Sequence, residues 1–521
     1  MKIRILCMGL MSISILTACT QTKLEETSKT EEPAKQPPNI LIFYVDDLGY
    51  GDLSSYGATR VATPNIDQLA ANGIRFTDAH ASSATCTPSR YSLLTGEYAF
   101  RNNASVLPGD APLIINENQT TLPSLLQQHG YVTGVVGKWH LGLGTGDTAL
   151  NWNEEIKPGP NQIGFNYSYL LPATGDRVPS VYVENGYVEN LDTKNDPLTV
   201  SYQQKVGMRP TGTENPELLR QQADPQHSDT IINGISRIGF MEGGKSAEWI
   251  DEDFYRVFTD KATQFISSQD EKPFFLFFSF HDIHVPRLPN AKFVGSTDMG
   301  PRGDAITQVD FITGEIVDYL RKTGQLDNTI IVFTSDNGPV LNDGYEDDAV
   351  ALIGNHKPAG PLRGGKYSAF EAGTRVPTIL HYPNEVKPGV SHSLMSQVDL
   401  YASLGALASR YSEIDIDASP IDSENHLNAW LDHTVSGREY LLQQSATFSL
   451  RHNQWKYIAP EEKTHPWITR KGIESGLKTS AQLYNLKNDI AEQVDLSDQH
   501  VDKVAHYQKV LDAIMIKTAG N

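Results

Sequence analysis

The residues best equipped for chemistry are dispersed along the chain but fall in short, dense groups. Cys86-Thr87-Pro88-Ser89-Arg90 runs into Tyr91-Ser92-Leu93-Leu94-Thr95-Gly96. Thr87 can cap a helix, Pro88 suits its first turn, Leu93 and Leu94 supply apolar contacts and Gly96 ends it. Cys86 would then stand at a helix N-terminus, where free N–H groups and the macrodipole favour an anionic ligand or a nucleophile. The plainer reading is a small buried hydrophobe, the usual fate of a free cysteine. Asp46-Asp47 and Asp336-Asn337 offer hard oxygen ligands of the kind Ca2+ requires, although each pair alone is also ordinary turn chemistry. Lys138, His140, His281, His284 and Lys366 add cations and proton carriers.

Groups so far apart in sequence need a scaffold that collects them. Four apolar runs each stop at a polar cluster: 40–45 before Asp46-Asp47, 132–136 before Gly137-Lys138-Trp139-His140, 274–280 before His281 and His284, and 330–334 before Asp336-Asn337. Continuous apolar strands alternating with helical stretches indicate a doubly wound, mostly parallel α/β sheet covered on both faces. In such sheets the ligand crevice lies beyond the carboxyl ends of the strands, so the four clusters would meet there. Thr63-Pro64 with Ile66, Leu69, Ala70 and Asn72-Gly73 reads as a capped helix, and 304–322 places Ile306, Val309, Ile312, Ile316 and Leu320 at helical spacing. From about 145 to 260 the chain is rich in Gly, Pro, Asn and Asp and reads as long excursions, which commonly carry specificity. After about 395 the texture changes to short antiparallel strands at 440–442, 447–451, 455–458 and 482–484 and a closing helix at 501–516. The expected division is a catalytic domain over 39–395 and a smaller α+β subdomain over 396–521.

The chain has 521 residues, 63 acidic against 43 basic, 39% hydrophobic and 20% charged. That is globular composition, which excludes collagen, wholesale disorder and a multi-span membrane protein. The formal charge of −20 argues against nucleic-acid binding, since phosphate contacts need a basic field. Three cysteines, Cys7, Cys19 and Cys86, build neither a disulfide framework nor a Cys-rich zinc site. Lys2 and Arg4 precede an apolar run at 5–16, the layout of a secretory signal and too short for a spanning helix. Leu16-Thr17-Ala18-Cys19 resembles the bacterial lipobox, which implies a signal peptide at 1–18, lipidation of Cys19 and, with Thr20 following, a lipid anchor in the outer membrane. Residues 19–38 are polar and read as a flexible tether. Cys86 is then a solitary thiol in an oxidising compartment, where such residues are unusual.

The Cys86–Arg90 segment with Leu93-Leu94-Thr95-Gly96 resembles the signature of the type I sulfatases. Further matches follow in the family's order: Asp46-Asp47, Gly137-Lys138-Trp139-His140-Leu141-Gly142, His284-Val285-Pro286, Ser335-Asp336-Asn337-Gly338, and Gly365-Lys366 with Glu371-Ala372-Gly373. The resemblance spans nearly all of 39–521 and implies an alkaline-phosphatase-like fold. It implies that a maturation enzyme converts Cys86 to formylglycine (3-oxoalanine), whose hydrate attacks sulfur with one hydroxyl and expels inorganic sulfate through the other. By the same resemblance Asp46, Asp47, Asp336 and Asn337, with residue 86, would hold a single Ca2+, or Mg2+. Arg90 would hold the diol and metal site, Lys138 and Lys366 would bind sulfate oxygens, His284 would protonate the leaving oxygen and His140 would assist the diol. His281 is left to support or pack.

A lipoprotein of this family implies sulfated polysaccharides or oligosaccharides as substrate, with galactose-type or amino-sugar esters foremost. Asp176, Arg177 and His227, and further Arg237 and Lys245, are candidates for a sugar pocket, against the plainer account of solvated or structural charges. Two other functions stay open: a phosphomonoesterase or phosphonate hydrolase of the same superfamily, and a non-catalytic glycan-binding lipoprotein.

Overall fold

Each apolar run that stops at a polar cluster is a buried strand. The structure, a computed structural model, describes residues 36–517 except 270–271, 413, 415–419, 464–465, 467 and 469–470. The signal at 1–18, Cys19 and nearly all of the tether lie outside the described residues. No helix among those described is long and apolar enough to cross a membrane. Residues from Pro37 onward form one compact unit.

The main sheet has ten strands in chain order: β1 (Asn39–Val45), β2 (Ile74–Phe76), β3 (Val132–Lys138), β4 (Tyr167–Leu171), β5 (Val183–Glu184), β6 (Tyr187–Val188), β7 (Phe274–Ser279), β8 (Thr329–Ser335), β9 (Thr378–His381) and β10 (Gly389–Ser391). Across the sheet they run β10-β2-β9-β8-β1-β7-β3-β4-β5-β6. The five central strands, β8 to β4 in that order, are mutually parallel, while β9 and β5 run against them. The doubly wound, mostly parallel sheet is as expected. The excursion is less irregular than its composition suggests, because its short run at 167–171 pairs with β3 as the fifth parallel strand.

Alternate residues of β1 face opposite layers, as the two-residue period of a strand requires. Ile40, Ile42 and Tyr44 pack in one cluster with Leu93 and Leu94 of α2 (Cys86–Thr95), Leu125 and Leu126 of α3 (Leu122–Gln128) and Leu404 and Leu407 of α6 (Leu400–Ser409). Leu41, Phe43 and Val45 pack in the other with Ile66 and Leu69 of α1 (Pro64–Ala71), Phe258 and Phe265 of α4 (Phe254–Ser267) and Ile306, Val309 and Ile312 of α5 (Gly300–Lys322). Full burial of each such side chain stabilises by about 1.5–3 kcal/mol. A second sheet, all antiparallel, is built from β11 (Tyr440–Gln444), β12 (Phe448–His452), β13 (Trp455–Ile458) and β14 (Gln482–Asn485). Its apolar face, Leu442, Leu450, Tyr457 and Leu483, is covered by Tyr507 and Leu511 of α7 (Val501–Ile516).

Two expected caps are corrected. Thr63 precedes α1 but makes no cap; instead the Asp310 carboxylate of α5 accepts the N–H groups of Asn65 (3.0 Å) and Ile66 (2.9 Å). Thr85 rather than Thr87 takes the cap position of α2, and the Thr87 hydroxyl donates to the His140 carbonyl at 2.9 Å. The free N–H groups of α1 and the Thr87 hydroxyl of α2 each find their partner across the fold rather than within the turn. Gly96, with φ +70°, does end α2.

Candidate active site

Strand register places the polar clusters side by side. Val45 pairs with Ser335 across β1 and β8, so Asp46 and Asp336 leave adjacent strands at one level. Ser279 of β7 pairs with Tyr44 on one side and Gly137 on the other, which brings His281 and His284 beside Lys138 and His140. Gly137 has φ +108°, and a Cβ there would stand 1.9 Å from the Ser279 carbonyl oxygen, so only glycine permits this approach of β3 to β7.

Asp46, Asp47, Asp336 and Asn337 are all fully buried. One cation serves each carboxylate. Lys138 Nζ binds Asp46, Lys366 Nζ donates to Asp47 Oδ2 at 3.0 Å, and Arg90 donates Nε (3.0 Å) and Nη2 (2.8 Å) to Asp336 Oδ2. Arg90 also donates Nη1 to the Lys138 carbonyl (3.2 Å) and to Ser279 Oγ, and so ties α2 to three strand ends. Asn337 Nδ2 donates to Asp47 Oδ1 at 2.7 Å. Asp46 Oδ1 and Asn337 Oδ1 remain buried without a hydrogen-bond partner among the described residues. An oxygen of Asp46, an oxygen of Asp336 and Cys86 Sγ all lie within 4.8 Å of one another.

Electrostatics reflect the crowding. Burial pushes the Asp336 carboxyl up to about 7, with the Asp46 charge adding to it, and burial likewise raises Asp47. Against its own burial, the Lys138 ammonium holds Asp46 well below the usual carboxylate range. Three packed carboxylates and the Asn337 amide, with one orphaned oxygen on Asp46 and one on Asn337, make a donor set that fits a hard divalent cation. Burial opposes the charge on Lys366, but Asp343, whose Oδ2 accepts from its Nζ at 2.9 Å, and Asp47 outweigh it and keep the ammonium well above the lysine value.

Cys86 is buried at the first position of α2, and burial pushes its thiol up. His140 adopts φ +55° and donates Nε2–H to the Leu107 carbonyl at 3.0 Å, which leaves Nδ1 buried without a hydrogen-bond partner among the described residues. His284 donates Nδ1–H to the Val285 carbonyl at 2.7 Å, leaving Nε2 4.0 Å from Asp47 Oδ2. Burial, then the charge of Lys138, hold His140 well below the ordinary histidine value, and burial does the same for His284. His281 accepts the Gly175 N–H on Nε2 at 3.2 Å and turns Nδ1 toward Asp46 Oδ2, 3.8 Å away.

Above this floor opens a pocket of about 490 Å³, lined by Cys86, His140, His284 and Lys366 and also by Asp176, Arg177 and His227. Arg237 and Lys245 are not brought to it: Arg237 is buried against Asp251 (2.7 Å) and Lys245 is exposed beside Asp196. Sequence reasoning missed Asp343, Tyr367 and Lys471, which line the same pocket. Asp343 follows Asp336-Asn337 closely enough that its acidity was a usable signal; nothing local to Lys471 points to it.

The sulfatase family model matches residues 38–410. The chain belongs to the sulfatase family. It is a sulfuric ester hydrolase, and the phosphoester and non-catalytic alternatives are set aside. This sulfatase is 48% identical over 505 residues to the N-acetylgalactosamine-6-O-sulfatase of Bacteroides thetaiotaomicron, covering 96% of this chain and 97% of the relative. Human arylsulfatase A is 31% identical over 381 residues, 72% of this chain and 64% of the relative. A solved structure from work on glycosaminoglycan metabolism in Bacteroides thetaiotaomicron superposes with a TM-score of 0.88 at 48% identity, over 92% of this chain and 99% of that one.

Proposed function

We propose that this sulfatase hydrolyses 6-O-sulfate esters of N-acetylgalactosamine or galactose-type residues in sulfated glycans, using formylglycine at position 86 and a single Ca2+. The observation that carries the reading is the convergence of Cys86 Sγ with oxygens of Asp46 and Asp336 at the floor of a polar pocket. The substrate class is supported by the 48% identical relative, an N-acetylgalactosamine-6-O-sulfatase.

Asp46, Asp47, Asp336 and Asn337 would hold the cation, whose Lewis acidity lowers the cost of an oxyanion at position 86 and polarises a sulfate oxygen. Hydrated formylglycine supplies a nucleophilic hydroxyl and a second hydroxyl through which inorganic sulfate departs. The chain's other groups bind and move protons. Lys138, resting on Asp46, and Lys366, resting on Asp47 and Asp343, would turn their remaining donors to sulfate oxygens. Arg90 holds Asp336 and the residue at 86 in place. His284 has only Nε2 free to carry a proton to the leaving oxygen; burial keeps the ring neutral, and arrival of a sulfate monoanion favours the charged form. His140 offers its bare Nδ1 as a base toward residue 86. Asp176, Arg177 and His227 face the sugar.

Mass spectrometry of the Cys86 peptide from the native host tests the nucleophile: conversion to the aldehyde lowers the mass by about 18 Da, and an active enzyme with an unmodified thiol overturns the reading. Sulfate release from defined sulfated sugars tests the substrate. The maturation enzyme is a required partner, and Cys19 carries the lipid anchor in the outer membrane. Labelled palmitate that fails to enter the protein, or enters equally after Cys19→Ala, rules that anchor out.

A further inference from the structure

One wall of the pocket is held by a run of alternating charge that ends in a residue from far along the chain. Asp176 Oδ2 lies 3.4 Å from His227 Nε2, His227 Nδ1 lies 2.6 Å from Asp224 Oδ1, and Asp224 Oδ2 lies 3.2 Å from Lys471 Nζ. Asp224 Oδ1 also accepts the N–H groups of Gln226 (3.1 Å) and His227 (3.2 Å), so its carboxylate closes the turn that carries His227. The imidazole is boxed in from the other side. Gly344 has φ +114°, a Cβ there would stand 2.2 Å from the His227 ring, and the Tyr345 ring lies 5.0 Å away. Against its burial, Asp176 and Asp224 hold the His227 imidazole above the ordinary histidine value.

Lys471 lies beyond the 38–410 segment matched by the family model, yet lines the pocket together with Cys86. Its side chain is only 12% exposed, and its other carboxylate neighbour, Asp343 Oδ1, is 3.6 Å away, too long for a hydrogen bond. Asp343 is already engaged by Lys366 at 2.9 Å. The sheltered, charge-assisted bond to Asp224 is therefore the main restraint that Lys471 provides. Without it the partly exposed Asp224 carboxylate keeps only the N–H bonds of its own turn and the His227 ring, its Oδ2 turns to water, and the acceptor that sets the ring is held less firmly.

We propose that Lys471 is a positioning residue for the sugar half of the substrate: through Asp224 it fixes the His227 ring, so that the C-terminal region completes the wall that selects the glycan. This rests on the sulfated-sugar reading above. A sugar placed against that wall presents hydroxyls to Asp176, whose carboxylate is oriented by the His227 ring at 3.4 Å, and accepting them demands that fixed orientation. A small aryl sulfate presents none and draws only on the sulfate-binding floor.

The test uses the matured full-length enzyme with Lys471→Met, Lys471→Arg, Asp224→Asn and the Met/Asn double variant, assayed on 6-O-sulfated N-acetylgalactosamine and on a small aryl sulfate. Lys471→Met is expected to raise KM for the sugar at least tenfold and to lower kcat/KM for the sugar at least tenfold more than for the aryl ester. KM does not depend on the folded fraction, so partial misfolding does not imitate this result. Lys471→Arg should recover most of the loss, and the double variant should be no worse than the poorer single one, because both cut one chain of contacts. A sugar KM within twofold of wild type in Lys471→Met, equal losses on both substrates, or additive losses in the double variant overturn the proposal while leaving the substrate reading intact. A wild-type enzyme that cleaves the aryl ester but not the sugar overturns both.

Discussion

Replacing Glu371 by Gln removes one charge from a buried cluster that joins the main sheet to the C-terminal sheet. Glu371 is fully buried and accepts hydrogen bonds from Arg451 Nη1, from Lys456 Nζ and Gln443 Nε2 at 3.2 Å each, and from Arg375 Nη1 at 3.3 Å. Arg451 also binds Asp78 at 3.0 Å, and the Glu371 N–H donates to Glu492 at 2.7 Å. Three cations thus face three carboxylates, and the amide would leave one cation in excess in a cluster largely shielded from water. Breaking a buried ion pair from one side costs about 3–5 kcal/mol. Unfolding entropy for a unit of roughly 500 residues is about 1 kcal/mol/K, so the melting midpoint should fall by about 3–5 °C.

The pH dependence gives a second reading of the same group. Despite burial, Arg451 and Lys456 hold the Glu371 carboxyl well below the ordinary glutamate value. A depressed carboxylate stabilises fully above its unfolded value of about 4.3, and that stabilisation is lost as the pH falls toward the folded value. Calorimetric midpoints of wild type and Glu371→Gln should differ by a constant amount from neutral pH down to about 4.3 and converge progressively below it. A midpoint within 1 °C of wild type at pH 7, or a gap that widens in acid, would refute the assignment of this cluster as a stabilising junction.

Cys86→Ala should abolish sulfate release while the midpoint stays within about 2 °C, since only a small side chain is lost; sulfate release at the wild-type rate would contradict the nucleophile. Chelation of divalent ions should lower both activity and the midpoint, because Asp46, Asp47 and Asp336 then repel one another. A cation present at 100 times its Kd stabilises by about 2.7 kcal/mol, so the shift should be about 3 °C, reversed by Ca2+, and an unchanged midpoint refutes the metal reading. His284→Ala should lower kcat on the sugar ester by about 10²–10⁴ but cost less on aryl sulfates with acidic phenols, whose leaving oxygen needs less protonation; equal losses rule out the acid role.

Much of the pocket floor was legible because it is local chemistry repeated at strand ends. Apolar runs that end in Asp46-Asp47, Lys138, His284 and Asp336-Asn337 dictate both a buried strand and the polar group that follows it, and the parallel register then aligns the groups. The α2 segment placed Cys86 at a helix N-terminus by its own helix signals and Arg90 was marked by the sulfatase resemblance, although neither showed that Thr85 would take the cap position. Sequence alone also marked Asp176, Arg177 and His227, but with equal force Arg237, which the fold buries against Asp251 instead.

What only the tertiary structure decided is pairing. Which lysine neutralises which carboxylate, that Asp343 shares Lys366, that Asp310 caps α1, and that Lys471 reaches Asp224 from 247 positions away all depend on contacts between elements without local signatures. Side-chain periodicity and turn chemistry act over a few residues, whereas a buried charge is satisfied by whichever opposite charge the packed sheets bring within about 3 Å, and that neighbour is chosen by the whole chain at once.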